Sequence, residues 1–248
     1  MLISKEENFT FIHVPKCGGL SAKSAILNNF PKQSIRRIIG ATPLKDSTVR
    51  DATHFTIEEI KEFLPEIFDF IKTSEIYCTI RDPYKRFFSS YFFEKNKGWW
   101  LCKSDELNED FLYYLDSIIE SFDKKIFVHK FDKSIQFFDR KHRHAMPQML
   151  FIKDNDKILP KNQNIFDMSE IRADFFIKNK NIRLAYPSNV MKAKDKSRLM
   201  YYIYKHGSND SEVKNKIGLL YKEDFNFYNY LRDTNKADHQ EGGLIYYP

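Results

Sequence analysis

The chain has 248 residues, 42% of them hydrophobic and 30% charged, with a net charge of +6 and a pI of about 9.0. That length supports a single α/β domain, residues 1–248, with a sizeable core, and the composition is that of a globular chain, not a disordered one. Three cysteines give no disulfide framework, no apolar run reaches the ~18 residues of a membrane span, and no named nucleic-acid motif is present.

The N-terminus, MLISKEENF, lacks a signal-peptide core, so a cytoplasmic protein without an integral membrane segment is expected. Phe9 to Val14 is an apolar, β-branched run and reads as a buried strand. Pro15-Lys16-Cys17-Gly18-Gly19 is a turn, and residues 20–29 read as the helix after it, led by Ser21. Residues 31–53 are mixed, strand-like over Ile35 to Ile39 and loop-like at Thr42-Pro43. Thr56 is placed to cap a helix over 57–63 with Glu58 and Glu59 in its first turn, and Pro65 opens a second short helix.

Glu75 to Ile80 is a second buried strand, running straight into Arg81-Asp82-Pro83. Asp82 is a natural cap and Pro83 a natural first residue for a helix that continues to Asn96. Residues 106–122 read as helix, 127–151 are ambiguous, and Asp174 to Ile177 is strand-like. Residues 194–206 and 208–222 read as helices, ending at the Tyr221 to Tyr230 segment. The core thus spans about 9–230, followed by a polar tail, 231–248, expected to be mobile from Asp233 as far as Leu244. Strands alternating with helices predict a central parallel sheet covered by helices on both faces.

The first turn carries the chemistry. A strand, a glycine turn and a helix N-terminus form a pocket for a phosphate-like anion, because free N–H groups and the helix dipole both favour negative charge. Lys16 adds a mobile cation there. A Walker A loop is excluded because the lysine precedes the glycines, and a Rossmann fingerprint because Gly-x-Gly-x-x-Gly is absent. A thiolate phosphatase loop would need an arginine six positions after Cys17, where Lys23 stands. The second strand–turn–helix offers Arg81, Ser89 and Arg86 to another anion, so the site is expected along the carboxyl ends of neighbouring strands.

PKCGGLS after one strand and IRDPYKRFFSSYFF after another resemble the sulfotransferases that use 3′-phosphoadenosine 5′-phosphosulfate (PAPS), in particular the carbohydrate sulfotransferases and their bacterial relatives. His144-Ala145-Met146-Pro147-Gln148 is similar to that branch's His-x-x-Pro-Gln segment, and Tyr221 to Phe225 to its Tyr-x-x-Asp-Phe ending. The resemblance implies a P-loop-like fold related to nucleotide kinases. It implies that Lys16 neutralises the bridging oxygen as the S–O bond breaks. Cys17, Gly18, Gly19, Leu20 and Ser21 would form the loop around the 5′-phosphate, and Arg81 and Ser89 would fix the 3′-phosphate, with Arg86 beside them. The implied acceptor is a hydroxyl or amine of a carbohydrate or small metabolite. Leu20 departs from a frequent threonine of that branch, which removes one side-chain contact but spares the backbone ones.

Transfer to a hydroxyl needs a base, and histidine has the right pKa range. His54, between the two loops and just ahead of a helix, resembles the branch's catalytic histidine; a structural or capping role is the alternative. His13 reads as a core residue of the first strand, and His144 as facing the site or orienting a loop. Glu58 or Glu59 would orient His54 or simply favour the helix start. Cys17, at a helix N-terminus, is open to a lowered pKa and to oxidation. Lys141 to His144 and Lys192 to Arg198 read as solvated faces. No zinc-ligand spacing is present, and His142-x-His144 lacks ligand partners, so no metal is expected. A nucleotide kinase and a non-catalytic nucleotide-binding module remain as rival readings.

Overall fold

A computed structural model describes residues 1–43, 49–123, 142–168, 174–178, 180–183 and 211–241. The expected helix over 194–206, most of the ambiguous segment 127–151, the Lys192 to Arg198 stretch and the last residues of the tail lie outside them. In chain order the strands are β1 (Leu2–Ser4), β2 (Phe9–Ile12), β3 (Arg36–Arg37), β4 (Ala41–Pro43), β5 (Val49–Asp51), β6 (Glu75–Ile80), β7 (Lys153–Asp154), β8 (Lys157–Ile158), β9 (Ile165–Asp167), β10 (Asp174–Ile177) and β11 (Lys180–Arg183). The α-helices are α1 (Gly19–Asn29), α2 (Ile57–Phe63), α3 (Pro65–Thr73), α4 (Pro83–Asn96), α5 (Leu107–Asp123), α6 (Ser211–Leu220) and α7 (Lys222–Glu241).

The central sheet runs β3-β1-β2-β6-β9. Its heart is parallel: β2 pairs with β6 from Phe9 opposite Glu75 to Ile12 opposite Cys78, and β6 pairs with β9 from Cys78 opposite Ile165 to Ile80 opposite Asp167. Side chains alternate between two apolar layers, as the two-residue period of a strand demands. Phe9, Phe11 and Tyr77 pack under α1 and against Ile177 and Ile182 of the β10–β11 ribbon. Ile12, Ile76, Cys78 and Ile80 face α2, α3 and the middle of α7. A third cluster, largely aromatic, joins α4, α5 and α6 through Phe87, Phe88, Tyr91, Phe111, Tyr114 and Ile217.

The sheet is mixed where an all-parallel one was expected. β1 pairs antiparallel with both β2 and β3. The link from Ser4 to Phe9 is a tight turn, held by Glu7 N donating to Ser4 Oγ at 3.1 Å, with Asn8 at φ 50°. So short a connection can join only antiparallel neighbours. The strand expected over Ile35 to Ile39 shortens to Arg36–Arg37, and Asp174 to Ile177 forms a separate ribbon, not a strand of the main sheet. The tail expected to be mobile from Asp233 is helical through Glu241.

Local signals explain the elements that hold the site. Thr56 and Glu59 form a capping box at α2, with Glu59 N donating to Thr56 Oγ1 and Thr56 N donating to Glu59 Oε2. Asp82 accepts from Lys85 N at 2.8 Å and Pro83 follows it, so α4 begins immediately after β6.

Candidate functional site

Because β2 and β6 are adjacent and parallel, the turns after them emerge at the same sheet edge. Lys16 and Arg81 therefore come close enough for Arg81 to help depress the Lys16 ammonium. Lys16 is half-buried, and desolvation, with Arg81 second, lowers its pKa to about 8. Its Nζ rests 3.9 Å from the centre of the Phe93 ring. Desolvation also lowers the Arg81 pKa, and Arg81 Nε is buried with no hydrogen-bond partner.

The loop between β2 and α1 has two backbone twists into the left-handed region, Lys16 at φ 62° and Gly18 at φ 72°. Gly18 is the N-cap of α1 and provides no side-chain cap, and the first turn has no acidic residue. The amides at this helix start are therefore aimed where an anion would be favoured. Gly19 is needed for space: a Cβ there would fall 1.8 Å from Cδ2 of His13. Ser21 is half-buried, whereas the Leu20 side chain is 66% exposed and points away from the packed loop.

Three histidines meet beside the loop. The His13 and His54 rings lie 4.7 Å apart between centroids, and His54 and His144 lie 5.1 Å apart. Burial pushes all three pKa values down, His13 well below its usual value, His54 to about 3 and His144 to about 2. They are neutral near pH 7, and Nδ1 of each is buried without a hydrogen-bond partner. Phe93 and Trp99 complete a wall on His144, at 4.6 and 5.6 Å between ring centroids. Trp99 is held by the chain reversal after α4, where its N–H donates to Glu94 O at 2.9 Å.

The segment from His142 to Gln148 lies between the two turns and binds them together. Gln148 Oε1 accepts from Arg81 N at 3.2 Å and from Cys17 Sγ at 3.4 Å, while Nε2 donates to Arg81 O at 2.9 Å. The buried Asp224 carboxylate accepts from Gln148 N and Met149 N at 2.8 and 3.0 Å. Arg86 has no exposed surface. Its Nε donates to Pro15 O at 2.9 Å and its Nη2 to His144 O at 3.2 Å, with a further bond to Met146 O. Tyr221 Oη donates to Ala145 O, so the tyrosine of the Tyr-x-x-Asp-Phe segment also clasps this strip.

Two expectations change here. His142, Arg143 and His144 are buried, not a solvated face, because each finds a partner or a packed wall: His142 Nδ1 lies 3.2 Å from Glu94 Oε2, and Arg143 meets Glu59. Cys17 is fully buried, and desolvation raises its thiol to about 11, so the helix start does not activate it. Ser89 is half-buried on α4, two turns beyond Asp82.

The Sulfotransferase family model matches residues 1–231. The chain belongs to the sulfotransferase family. No curated protein and no solved structure matches it. Sulfuryl transfer is the family's general chemistry, and the matched span contains both turns, the histidine cluster and the Gln148 strip of this sulfotransferase. Among the described residues no helix is long and apolar enough to cross a membrane.

Sequence reasoning placed Lys16, the glycine loop and Arg81 on two neighbouring turns, and the structure brings them together. It leaves His144 between facing the site and orienting a loop, gives Phe93 no role, and reads Arg143 as part of a solvated face. The His-x-x-Pro-Gln spacing was the available signal for His144 and Gln148. Arg143 gave none, because a lone arginine among basic neighbours reads as surface.

Proposed function

We propose that this sulfotransferase moves a sulfuryl group from PAPS to a hydroxyl or amine of a carbohydrate or small-molecule metabolite in the cytoplasm. The carrying observation is that Lys16 and Arg81 come together at the uncapped start of α1, with Lys16 near neutral His144, whose ring lies 5.1 Å from that of His54. A phosphosulfate nucleotide fits these residues: Arg81 Nε is buried and unpartnered, Gly19 leaves room only for backbone, and no carboxylate stands in the first turn of α1.

The amides of Gly18, Gly19, Leu20 and Ser21, with the Ser21 hydroxyl, would hold the 5′-phosphate beside Cys17. Arg81 and Ser89 would hold the 3′-phosphate. Arg86 supports the loop from beneath through the Pro15 carbonyl. Bound PAPS supplies a sulfuryl group already activated by its phosphate leaving group.

Lys16 then does electrostatic work, leaving the Phe93 face to neutralise charge on the bridging oxygen. His54 accepts the acceptor's proton as the nucleophile is held in line. A nearby anion raises an imidazole's proton affinity, so the nucleotide would itself lift the depressed His54 towards a useful range. The Phe93–Trp99–His144 wall suits the flat or apolar face of a ring-shaped acceptor.

Calorimetric titration with adenosine 3′,5′-bisphosphate, beside ATP with magnesium, tests the reading. Micromolar bisphosphate binding that Arg81→Ala abolishes is expected. Preference for magnesium ATP would return the chain to a kinase-like activity. Bisphosphate binding without sulfuryl transfer to any hydroxyl or amine would leave a non-catalytic nucleotide module.

A further inference from the structure

We infer that Glu59 and Arg143 are positioning residues that set the spacing between the His54 and His144 imidazoles, an inference that rests on the reading of His54 as the base. The Arg143 fork binds Glu59 twice, Nη1 to Oε2 at 2.8 Å and Nη2 to Oε1 at 2.6 Å. The same Nη1 donates to His54 O at 2.8 Å. Glu59 Oε2 also accepts from Thr56 N at 2.7 Å. One ion pair therefore grips the backbone at both 54 and 56, on either side of Phe55. Arg143 is the chain neighbour of His144, so the grip reaches both rings, 5.1 Å apart.

Two arguments separate this role from plain stability. A capping box is served equally by glutamine, so the cap at α2 does not require the Glu59 charge. Both side chains of the pair are more than nine-tenths buried, and the desolvation cost of such a pair cancels much of its attraction. Its best-attested use is to fix register, and here the registered objects are two imidazoles whose Nδ1 atoms have no hydrogen-bond partner. His54 itself sits in a single 3-10 turn, Ala52–His54, which has little rigidity of its own.

The test uses the full chain with Glu59→Gln, Arg143→Lys, Arg143→Met and the double variant Glu59→Gln/Arg143→Met. Nitrogen-15 spectra read the His54 and His144 imidazoles directly, with the Trp100 indole, which donates to Asp110 Oδ1 at 3.0 Å, as an internal control. The expected result is displaced His54 and His144 signals in every variant, an unmoved Trp100 indole, and unchanged bisphosphate affinity. The double variant recovers thermal stability relative to Arg143→Met alone without restoring those signals. With PAPS and N-acetylglucosamine as probe acceptor, transfer falls about a hundredfold, as a misplacement on the ångström scale allows. Unmoved imidazole signals, or wild-type transfer in Arg143→Lys, would overturn the inference. Failure of the sulfotransferase reading is distinguishable, because the wild-type chain would then not bind the bisphosphate at all.

Discussion

Gln148 holds Arg81 by both sides of its backbone, accepting from its N–H at 3.2 Å and donating to its carbonyl at 2.9 Å. A side-chain amide thus does for Arg81 what a neighbouring strand does for β6. Gln148→Ala removes both partners and should destabilise the protein by about 1–3 kcal/mol. It should also weaken bisphosphate binding about tenfold by freeing Arg81. Gln148→Glu keeps the acceptor but cannot donate to Arg81 O, and should weaken binding as well. Denaturant melts beside calorimetry measure both effects; unchanged affinity in Gln148→Ala would separate Arg81 from the nucleotide site.

Lys16 titrates near pH 8 because burial and Arg81 disfavour its charge. A bound phosphate dianion reverses that balance. Binding of adenosine 3′,5′-bisphosphate at pH 8 should therefore draw about half a proton from solution, the share that Lys16 lacks there. Affinity should decline above pH 8 as the ammonium is lost. Calorimetry in buffers of different ionisation enthalpy reads the proton directly, and Lys16→Ala should cancel the uptake and most of the turnover. Equal uptake in that variant would assign the proton to another group.

His54 and His144 are neutral when folded, with pKa values of about 3 and 2, against 6.5 in the unfolded chain. The unfolded state therefore binds more protons below pH 6.5. Their contribution to stability is complete above that value and falls as the pH drops through the interval. At pH 5 each costs about 2 kcal/mol. Thermal melts from pH 7 to pH 4.5 should show a steep loss, and His144→Phe should flatten it. A parallel slope in His144→Phe would count against a buried neutral imidazole at that position.

The loop glycines should differ in tolerance. Gly19→Ala places a Cβ 1.8 Å from the His13 ring, which has packed neighbours and nowhere to go. Gly18→Ala meets the end of the flexible Met168 side chain at 2.5 Å and adopts φ 72°. The left-handed conformation costs about 1–2 kcal/mol for a side chain. Gly18→Ala should fold with reduced stability, while Gly19→Ala should lose the native histidine arrangement. Melting temperatures and imidazole spectra of the pair would check the order, and equal behaviour would mean that the His13 contact is not the constraint.

Thiol chemistry gives an independent check on the loop. Cys17 and Cys78 are buried, and desolvation raises both thiols, Cys17 to about 11, whereas Cys102 is exposed. A thiol titration of the native protein should count a single reactive cysteine, and all three after unfolding. A second native thiol would mean that the Cys17–Gln148 contact opens in solution.

The legible parts were those written in local chemistry. Thr56 with Glu59, and Asp82 with Pro83, announce their helices in four residues or fewer, and both helices begin where those signals stand. Ile76 to Ile80 is buried at every position and, Thr79 apart, lacks strongly polar side chains, as suits a strand covered on both faces. The parts that stayed hidden depend on partners far away in sequence. β1 and β9 are too short to carry a period, and only the sheet gives them their role. Arg143 reads as a surface charge because its burial depends on a partner 84 residues away. The lowered pKa that its helix-start position left open to Cys17 does not arise, for a similar reason: that position is local, but the desolvation that outweighs it comes from distant packing.

Arg86 ties Pro15 to His144 across separations of 71 and 58 residues with one guanidinium. No segment of this chain can therefore rehearse the site alone. Loops that wait on distant partners close late and slowly, since chain entropy must be lost before the contacts return it. Until that closure the glycine loop, the arginine turn and the histidine strip are unconnected pieces. Newly made chains should then pass from inert to competent in one cooperative step, with no partly active intermediate to trap.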